Sequence, residues 1–292
     1  PWANSDRTCS LCWRGSALLY QDEHTYDVSC KKSSRGSILY LHPVQMTFFI
    51  VLYSPMEFPM RINKYVANKG WASRREADTL IEKGVILING KKAVIGQKIQ
   101  EGDDVTLKGK TKEKKYLAYY KGRKIITHSP GVGEIDIAGR MKKDYGITDV
   151  SPIGRLDKDS EGLIILSNDG RITKPMLSSE MNHQKEYDVT LDKNVTSILI
   201  NEIKKGINIE GYVTKNADAI KNPKNARRVT IILTEGKKHQ IRRMCAALGY
   251  QVQDLKRVRI MNIELGTLKP NQYRKIEGPE LKEFLKQLNV TA

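Results

Sequence analysis

The sequence predicts an α+β protein that consists of a small basic module and a larger module containing a sheet. The chain has 292 residues, enough for about two domains at roughly 150 residues each. Helical and strand patterns both occur along it, which indicates the α+β class without fixing a topology. With 39% hydrophobic and 28% charged residues, the composition is typical of a globular protein rather than a disordered one.

The net charge of the chain predicts a polyanionic partner. Lysine and arginine number 50 against 33 aspartates and glutamates, which gives +17. A phosphate backbone is the commonest partner of such a surface, because each neutralised phosphate releases condensed counterions; a membrane surface is the alternative. Residues 1–59 hold five basic and five acidic residues, so the whole excess lies after Pro59.

Residues 1–59 show no sustained helical or alternating pattern. We expect them to be an extension of unknown role and the functional protein to begin at Met60. Within this stretch, Cys9 and Cys12 have the spacing of half a zinc site. The remaining candidate ligands are irregularly spaced, so we expect no metal site; they are His24, Cys30 and His42.

Two features predict a cytoplasmic protein. The apolar run Met46–Tyr53 is far shorter than the roughly 20 residues of a membrane span, and no basic region precedes it as in a signal peptide. After Pro59 the chain has a single cysteine, Cys245. That part of the chain therefore has no disulfide framework, which fits a reducing compartment.

The small basic module, residues 60–107, is predicted to contain two helices and a hairpin. The apolar residues of Ile62–Val66 recur at helical spacing. Ser73 and Glu76 form a capping box at the start of a second helix. Asn89–Gly90 is a dipeptide favoured in tight hairpin turns, and it follows a short β-branched run.

The larger module, residues 116–290, follows a lysine-rich linker, residues 108–115. Its strongest pattern is a polar loop bounded by glycines, Gly154–Gly162, which precedes the apolar run Leu163–Leu166. Such a run predicts a buried strand, and turn residues follow it. A functional carboxylate on this loop would be held firmly.

The loop carries three acidic residues, so we considered a glycosidase. That chemistry needs two carboxyl groups about 5 to 9.5 Å apart, usually from different elements, and a single loop supplies such a pair poorly. The glycines of the loop also lack the G-x-G-x-x-G pattern, and no Walker A sequence occurs in the chain. We therefore expect neither glycoside hydrolysis nor a nucleotide cofactor.

The small module resembles an S4 RNA-binding domain. The matching residues are R-I-N-K-Y from Arg61, A-S-R-R-E-A from Ala72 and the turn that ends at Gly90. The resemblance implies that the helix pair presents its basic side chains to the phosphates of structured RNA. These are Arg61, Lys64, Arg74 and Arg75. In an arbitrary domain, the same charges would more often be a solvated face.

The larger module resembles the pseudouridine synthases of the RsuA/RluB/RluE/RluF group. Three ordered motifs match: G-R-L-D-K-D-S-E-G with the strand after it, K-E-Y-D-V from Lys185, and E-G-K-K-H-Q-I-R-R-M from Glu235. The first motif and the stretch Ile209–Lys215 are most similar to the RluF-type members. The resemblance implies a mixed, mainly antiparallel sheet with the active site in a cleft along it.

The resemblance also implies the roles of three residues. Asp157 acts at the ribose, either as a nucleophile at C1′ or as a base at C2′. Arg242 forms a salt bridge with this carboxylate, which needs a nearby cation to stay ionised beside an apolar pocket. Tyr187 stacks on the target base and assists proton removal at C5. Asp159 and Glu161 are expected to be loop or capping residues only.

Further basic residues are expected to contact the substrate. Arg155 precedes the catalytic position and is assigned to base extrusion or phosphate contact, with loop support as the alternative. Lys121 is assigned to substrate binding, although the chain has Gly122 where the family usually has proline, which predicts a looser turn. Lys256 and Arg257 are expected to line the RNA channel.

The resulting prediction is an RNA pseudouridine synthase that needs no cofactor or metal. Large-subunit ribosomal RNA is the expected substrate, with small-subunit RNA or tRNA as competitors. The alternative from another functional class is a non-catalytic RNA-binding protein with a decayed synthase domain. We expect a monomer that does not associate with membranes.

Overall fold

The structure, a computed structural model, describes residues 56–291. The half zinc pattern at Cys9 and Cys12 and the apolar run Met46–Tyr53 lie outside these residues. From Glu57 onward, the chain forms one compact unit. None of the helices between residues 56 and 291 has the length and apolar character to cross a bilayer.

The small module begins with two short helices. Helix α1 (Ile62–Asn68) buries apolar side chains at the predicted spacing. Helix α2 (Arg74–Glu82) begins with the predicted cap, in which the Glu76 N–H donates to Ser73 Oγ at 3.3 Å. Short strands complete the module; they are β1 (Met60–Arg61), β2 (Ile86–Ile88), β3 (Lys91–Lys92), β4 (Lys98–Ile99) and β5 (Val105–Leu107).

The hairpin predicted at Asn89–Gly90 connects β2 and β3. The φ angles of Asn89 and Gly90 are 50° and 77°, both in the left-handed region. A two-residue turn of this kind requires that conformation at both positions, which explains why asparagine and glycine occur here. Strand β2 also pairs with β5, so the three strands form one small sheet.

A nine-stranded sheet forms the centre of the larger module. Its main path has the order β12-β13-β9-β14-β8-β6-β16, with β7 beside β8 and β15 beside β14. Only the β8–β14 pair is parallel, so the mixed, mainly antiparallel sheet is confirmed. The strands are β6 (Tyr116–Lys121), β7 (Ser151–Ile153), β8 (Glu161–Ser167), β9 (Lys185–Leu191), β12 (Asp218–Lys221), β13 (Arg228–Leu233), β14 (Val252–Ile260), β15 (Ile263–Glu264) and β16 (Tyr273–Lys275). A separate hairpin contains β10 (Asn208–Ile209) and β11 (Tyr212–Val213).

Helices cover both faces of this sheet. In β8, Leu163 lies in the apolar cluster that contains residues of α7, whereas Ile164 lies in the cluster that contains residues of α3. A third apolar cluster joins β9 and β13 to α5 and α6. Burial on both faces explains the continuous apolar run of β8. The helices are α3 (Ile137–Tyr145), α4 (Thr173–Leu177), α5 (Ser197–Lys205), α6 (Gln240–Ala247) and α7 (Gly278–Gln287), with a 3₁₀ turn at Gly170–Ile172.

The linker, residues 108–115, has no regular secondary structure but makes specific contacts. Lys112 forms an ion pair with Glu76 of α2. The Lys114 ammonium donates a hydrogen bond to the carbonyl oxygen of Gly70, between α1 and α2. The linker is therefore held against the small module by side-chain contacts.

Candidate active site and RNA-binding surface

The loop between β7 and β8 places Asp157 between two fixed backbone positions. The Leu156 N–H donates to Thr127 Oγ1 at 3.1 Å, and the Thr127 hydroxyl donates to the Leu156 carbonyl oxygen at 2.7 Å. On the other side, the Ser160 N–H donates to the Asp157 carbonyl oxygen at 3.1 Å. The side chain of Asp157 is 39% exposed, so a ligand can reach its carboxylate.

Lys121 lies beneath this loop, which corrects its predicted place at the substrate. Its side chain is fully buried. Its ammonium donates to the carbonyl oxygens of Ser160 at 2.7 Å, Gly122 at 3.0 Å and Lys158 at 3.4 Å. Burial lowers the pKa of Lys121 to about 8, although nearby carboxylates, Asp157 first among them, raise it in part. Lys121 therefore stabilises the loop from inside.

The turn at Gly122 is also fixed, contrary to the looseness expected without proline. The Gly122 N–H donates to Asn271 Oδ1 at 3.1 Å. A Cβ on Gly122 would lie 2.8 Å from the same oxygen. Proline could not make this contact, because it has no N–H and its ring would meet the Asn271 side chain. In this chain the hydrogen bond to Asn271 fixes the turn in place of a proline ring.

Four residues lie in one row across the sheet. The register pairs Tyr187 with Arg257, Arg257 with Gly162, and Gly162 with Lys121. Paired residues of neighbouring strands project to the same face. The strands β9, β14, β8 and β6 therefore bring the predicted stacking tyrosine to the face on which Lys121 supports the loop of Asp157.

Tyr187 is almost fully buried and belongs to the same apolar cluster as Leu156, the neighbour of Asp157. The structure thus places Tyr187 in the cluster that contains a residue of the loop. Arg257 lies beside it with only 4% of its surface exposed, and its Nε donates to the Leu163 carbonyl oxygen at 2.7 Å. Arg257 is therefore a buried residue and does not line a surface channel.

Helix α6 contacts the loop in a way that differs from the prediction. Arg242 donates from Nη1 to the Val252 carbonyl oxygen at 3.0 Å and from Nη2 to Ser160 Oγ at 3.4 Å. Within 4.0 Å, the part of the chain that the structure describes shows no Arg242–Asp157 pair. The Asp157 carboxylate instead lies 3.3 Å from Nε2 of His239, the residue before α6.

Lys256 lies away from Asp157 and Tyr187. It pairs in register with Asp188, and because side chains alternate along a strand, it projects to the face opposite Tyr187. Its ammonium is 3.9 Å from Glu161 and 5.6 Å from the centre of the Tyr120 ring. The structure therefore separates Lys256 from the other predicted site residues.

The basic residues of the small module are accessible. Arg61, Arg74 and Arg75 are exposed and Lys64 is half-buried. Arg155 of the loop is exposed as well. Burial lowers the pKa of His128, and the positive charges of Arg155 and Arg75 lower it further. Arg75 of α2 and Arg155 of the loop therefore both act electrostatically on this imidazole.

The sequence and the fold match those of known proteins. A model of the RNA pseudouridylate synthase family matches residues 115–247, and a model of the S4 domain family matches residues 60–105. The dual-specificity RNA pseudouridine synthase RluF of Escherichia coli (strain K12) is 38% identical over 233 residues, which cover 78% of this chain and 79% of the relative. The chain belongs to the RNA pseudouridine synthase family.

Two further pseudouridine synthases show the same relationship. An RNA pseudouridine synthase of Bacillus subtilis (strain 168), YtzG, is 32% identical over 231 residues, covering 76% of this chain and 97% of the relative. A crystal structure of a pseudouridylate synthase matches with a TM-score of 0.57 and 25% identity, covering 78% of this chain and 99% of the other. The enzyme class and the S4 module predicted from the motifs are therefore confirmed.

Two residues near this pseudouridine synthase site were not singled out from the sequence. His239 appeared only as a letter of the third motif, and its contact with Asp157 depends on how α6 meets the loop. Lys185 begins the second motif and is 8% exposed. Burial lowers the pKa of Lys185 to about 8, and the nearby Arg257 lowers it further. Side chains two residues apart in a strand project to the same face. The sequence could therefore have placed Lys185 on the same face of the sheet as Tyr187.

Within residues 56–291, no group of three or more His, Cys, Asp or Glu side chains is placed to bind a metal ion. The cysteines of the half zinc pattern lie outside that range.

Proposed function

We propose that this protein converts uridine to pseudouridine in ribosomal RNA, with the large-subunit (23S) RNA as substrate, Asp157 as the reacting carboxylate and no cofactor. The observation that carries the proposal is the position of Asp157. Its partly exposed carboxylate lies on a loop that is fixed at Leu156 and Ser160. Membership of the pseudouridine synthase family supports the reaction class.

The reaction is an isomerisation and balances without a second substrate. The N1–C1′ bond of uridine breaks, the uracil turns, and a C5–C1′ bond forms while the C5 proton is lost and N1 gains one. Nothing is oxidised or reduced. Asp157 supplies the carboxylate, as a nucleophile at C1′ or as a base for the C2′ proton.

Neighbouring residues provide the binding surfaces that this reaction needs. Tyr187, which packs in the same apolar cluster as Leu156, is assigned to stacking on the uracil, and stacking on an aromatic ring is worth roughly 1 to 3 kcal/mol per base. Arg155 is exposed beside Asp157, where it contacts the RNA backbone while the nucleotide leaves its stack. Arg75 extends this basic surface to the small module, which supplies affinity rather than chemistry.

The test is tritium release from RNA that carries 5-tritiated uridine, because loss of the C5 proton reports turnover directly. Asp157→Asn is nearly isosteric and should keep RNA binding while tritium release falls below detection. Asp159→Asn and Glu161→Gln are matched controls on the same loop and should retain most activity. Release at near wild-type rate by folded Asp157→Asn protein would refute the role of Asp157.

The same assay identifies the substrate and separates the rival function. Large-subunit RNA, small-subunit RNA and tRNA are supplied separately, since the Escherichia coli relative is named as a dual-specificity enzyme. We expect release from large-subunit RNA. A non-catalytic RNA-binding protein would bind RNA but release no tritium from any of them. Pseudouridine mapping of RNA from a deletion strain then identifies the modified position.

A further inference from the structure

Among the described residues, the basic side chain that lies within 4.0 Å of the Asp157 carboxylate is that of His239. The distance between Asp157 Oδ1 and His239 Nε2 is 3.3 Å. Neither side chain is fully buried, with 39% of Asp157 and 48% of His239 exposed. The distance is longer than a well-formed hydrogen bond, but contacts of this kind in substrate-free sites often shorten when the substrate closes the site.

The backbone of His239 adopts a conformation that is uncommon for residues other than glycine. Its φ angle is 52° and its ψ angle 29°, in the left-handed region, which costs a residue with a Cβ roughly 1 to 2 kcal/mol. Strain of this kind persists where the surrounding structure fixes it, and it is concentrated at functional sites. His239 occupies the N-cap position of α6, yet its side chain makes no capping hydrogen bond. A capping role therefore does not explain why a histidine occupies this position.

A buried hydrogen-bond network fixes the turn that carries His239. Glu235 is 2% exposed. It accepts hydrogen bonds from Gln240 Nε2 at 2.6 Å and from the Tyr212 hydroxyl at 2.6 Å. Gln240 in turn accepts a hydrogen bond from the Lys237 N–H at 2.8 Å. The network thus closes around the residues before and after His239, whose Nε2 lies 3.3 Å from the Asp157 carboxylate.

We propose that His239 is a positioning residue that keeps the Asp157 carboxylate facing the reacting sugar. The inference rests on the proposed function and adds a residue to it. At 3.3 Å, the Nε2 of His239 can turn an N–H toward the carboxylate once substrate closes the site, and the imidazole then attracts Asp157 as a dipole or, when protonated, as a cation. In both states Asp157 is held toward α6, a place that the sequence assigned to Arg242.

The geometry of His239 allows an experiment that separates positioning from stability. Glycine adopts the left-handed conformation without cost, so His239→Gly removes the imidazole and relieves the backbone strain together. His239→Gln keeps a side-chain N–H within reach of Asp157. Lys238→Gln is the matched control, because it removes an exposed positive charge from the adjacent position. Wild-type protein and the three variants are compared on the RNA from which the wild type releases tritium.

Three quantities are measured: the single-turnover rate of tritium release at saturating RNA, the Kd for RNA, and the midpoint of thermal unfolding. For His239→Gly we expect an unchanged or higher midpoint, a Kd within about threefold of wild type, and a rate at least about tenfold lower, since small misplacements of a reacting group cost rates of this order. The rate should be restored in part by free imidazole or in His239→Gln. Lys238→Gln should react at the wild-type rate once RNA is bound.

Two results overturn the inference. The first is His239→Gly reacting at the wild-type rate. The second is a lower rate that neither free imidazole nor His239→Gln restores, which would indicate a structural role only. Absence of tritium release by the wild-type protein from every RNA would instead refute the proposed function, so the two failures are distinguishable.

Discussion

The ammonium nitrogen of Lys121 lies 2.7 Å from the carbonyl oxygen of Ser160, the residue whose N–H closes the turn begun at Asp157. A buried lysine thus donates to the backbone of the loop that carries Asp157, the proposed reacting carboxylate. Burial lowers the pKa of Lys121 to about 8, and the cost of burying the charge is offset in part by its three carbonyl partners.

We predict that Lys121→Met slows the reaction without weakening RNA binding. Methionine fills a similar volume but leaves the Ser160 and Gly122 carbonyl oxygens without this donor, so the loop loses its internal support. The single-turnover rate of tritium release should fall at least about tenfold, as expected for a misplaced reacting group. Hydrogen exchange in residues 154–161 should become faster while the Kd for RNA stays within about threefold.

Lys143→Met provides the control, since Lys143 is exposed on α3 and should change neither quantity. A weaker Kd with unchanged hydrogen exchange would instead return Lys121 to the role of a substrate-binding residue.

The pH dependence of stability should report the buried lysines. In the folded protein the pKa of Lys185 is about 8, below its ordinary value of 10.5, and Lys121 behaves in the same way. Between about pH 8 and pH 10.5, the unfolded chain therefore binds more protons than the folded protein. The free energy of unfolding should therefore rise with pH from pH 8 upward.

Comparison with Lys185→Met tests this assignment. The described residues give the Lys185 ammonium no hydrogen-bond partner, so methionine should raise the free energy of unfolding at pH 7 by at least about 1 kcal/mol. The variant should also show a smaller rise between pH 8 and pH 9.5 in urea titrations. The titrations end at pH 9.5. Burial raises the pKa of Tyr119 to about 12 in the folded protein, so above about pH 10 this tyrosine ionises first in the unfolded chain and lowers the free energy of unfolding. A variant that is less stable at pH 7 would show that Lys185 has a partner.

Gly162 should not tolerate any side chain. Its φ angle is 114°, and a Cβ would lie 2.2 Å from the carbonyl oxygen of Arg257 on the neighbouring strand. Gly162→Ala must therefore separate β8 from β14 or prevent folding, with a loss of more than about 4 kcal/mol. Gly211→Ala is the matched control, because Gly211 also has a positive φ but open space around it, and it should cost only about 1 kcal/mol. Equal losses in urea unfolding would contradict the close approach.

Local structure was predictable where one short segment determines it. The Ser73–Glu76 cap and the Asn89–Gly90 turn depend on neighbours within three residues, and both occur as predicted. The sequence predicted strand β8 because a short continuous apolar run is typical of a strand that is buried on both faces.

Contacts of long cationic side chains were not predictable in the same way. Arg242 was expected to pair with Asp157, but Ser160 and Val252 offer its guanidinium acceptors nearby. Arg257 and Lys121 were expected near RNA and are buried instead. The direction of such a side chain depends on carbonyl groups that tertiary packing exposes, and the sequence does not encode their positions locally.

The exposed arginines of α2 should determine the salt dependence of RNA binding. Arg74 and Arg75 form no ion pair with the residues that the structure describes, so both guanidinium groups are available to phosphates. Each phosphate contact contributes about 0.9 to the slope of log K against log salt concentration. Replacing both arginines with alanine should therefore weaken RNA binding and reduce the slope by up to about two units.

The matched control removes the same charge elsewhere. Lys282 and Lys286 are exposed on α7, in the larger module, and their replacement by alanine lowers the net charge equally. If the effect came from net charge alone, both double variants would reduce the slope to the same extent. A contact surface on the small module instead predicts a change for the α2 variant only, measured by filter binding across a salt series. An unchanged slope for the α2 variant would mean that these arginines form a solvated face, and the source of RNA affinity would then have to be sought at Arg155 and its neighbours.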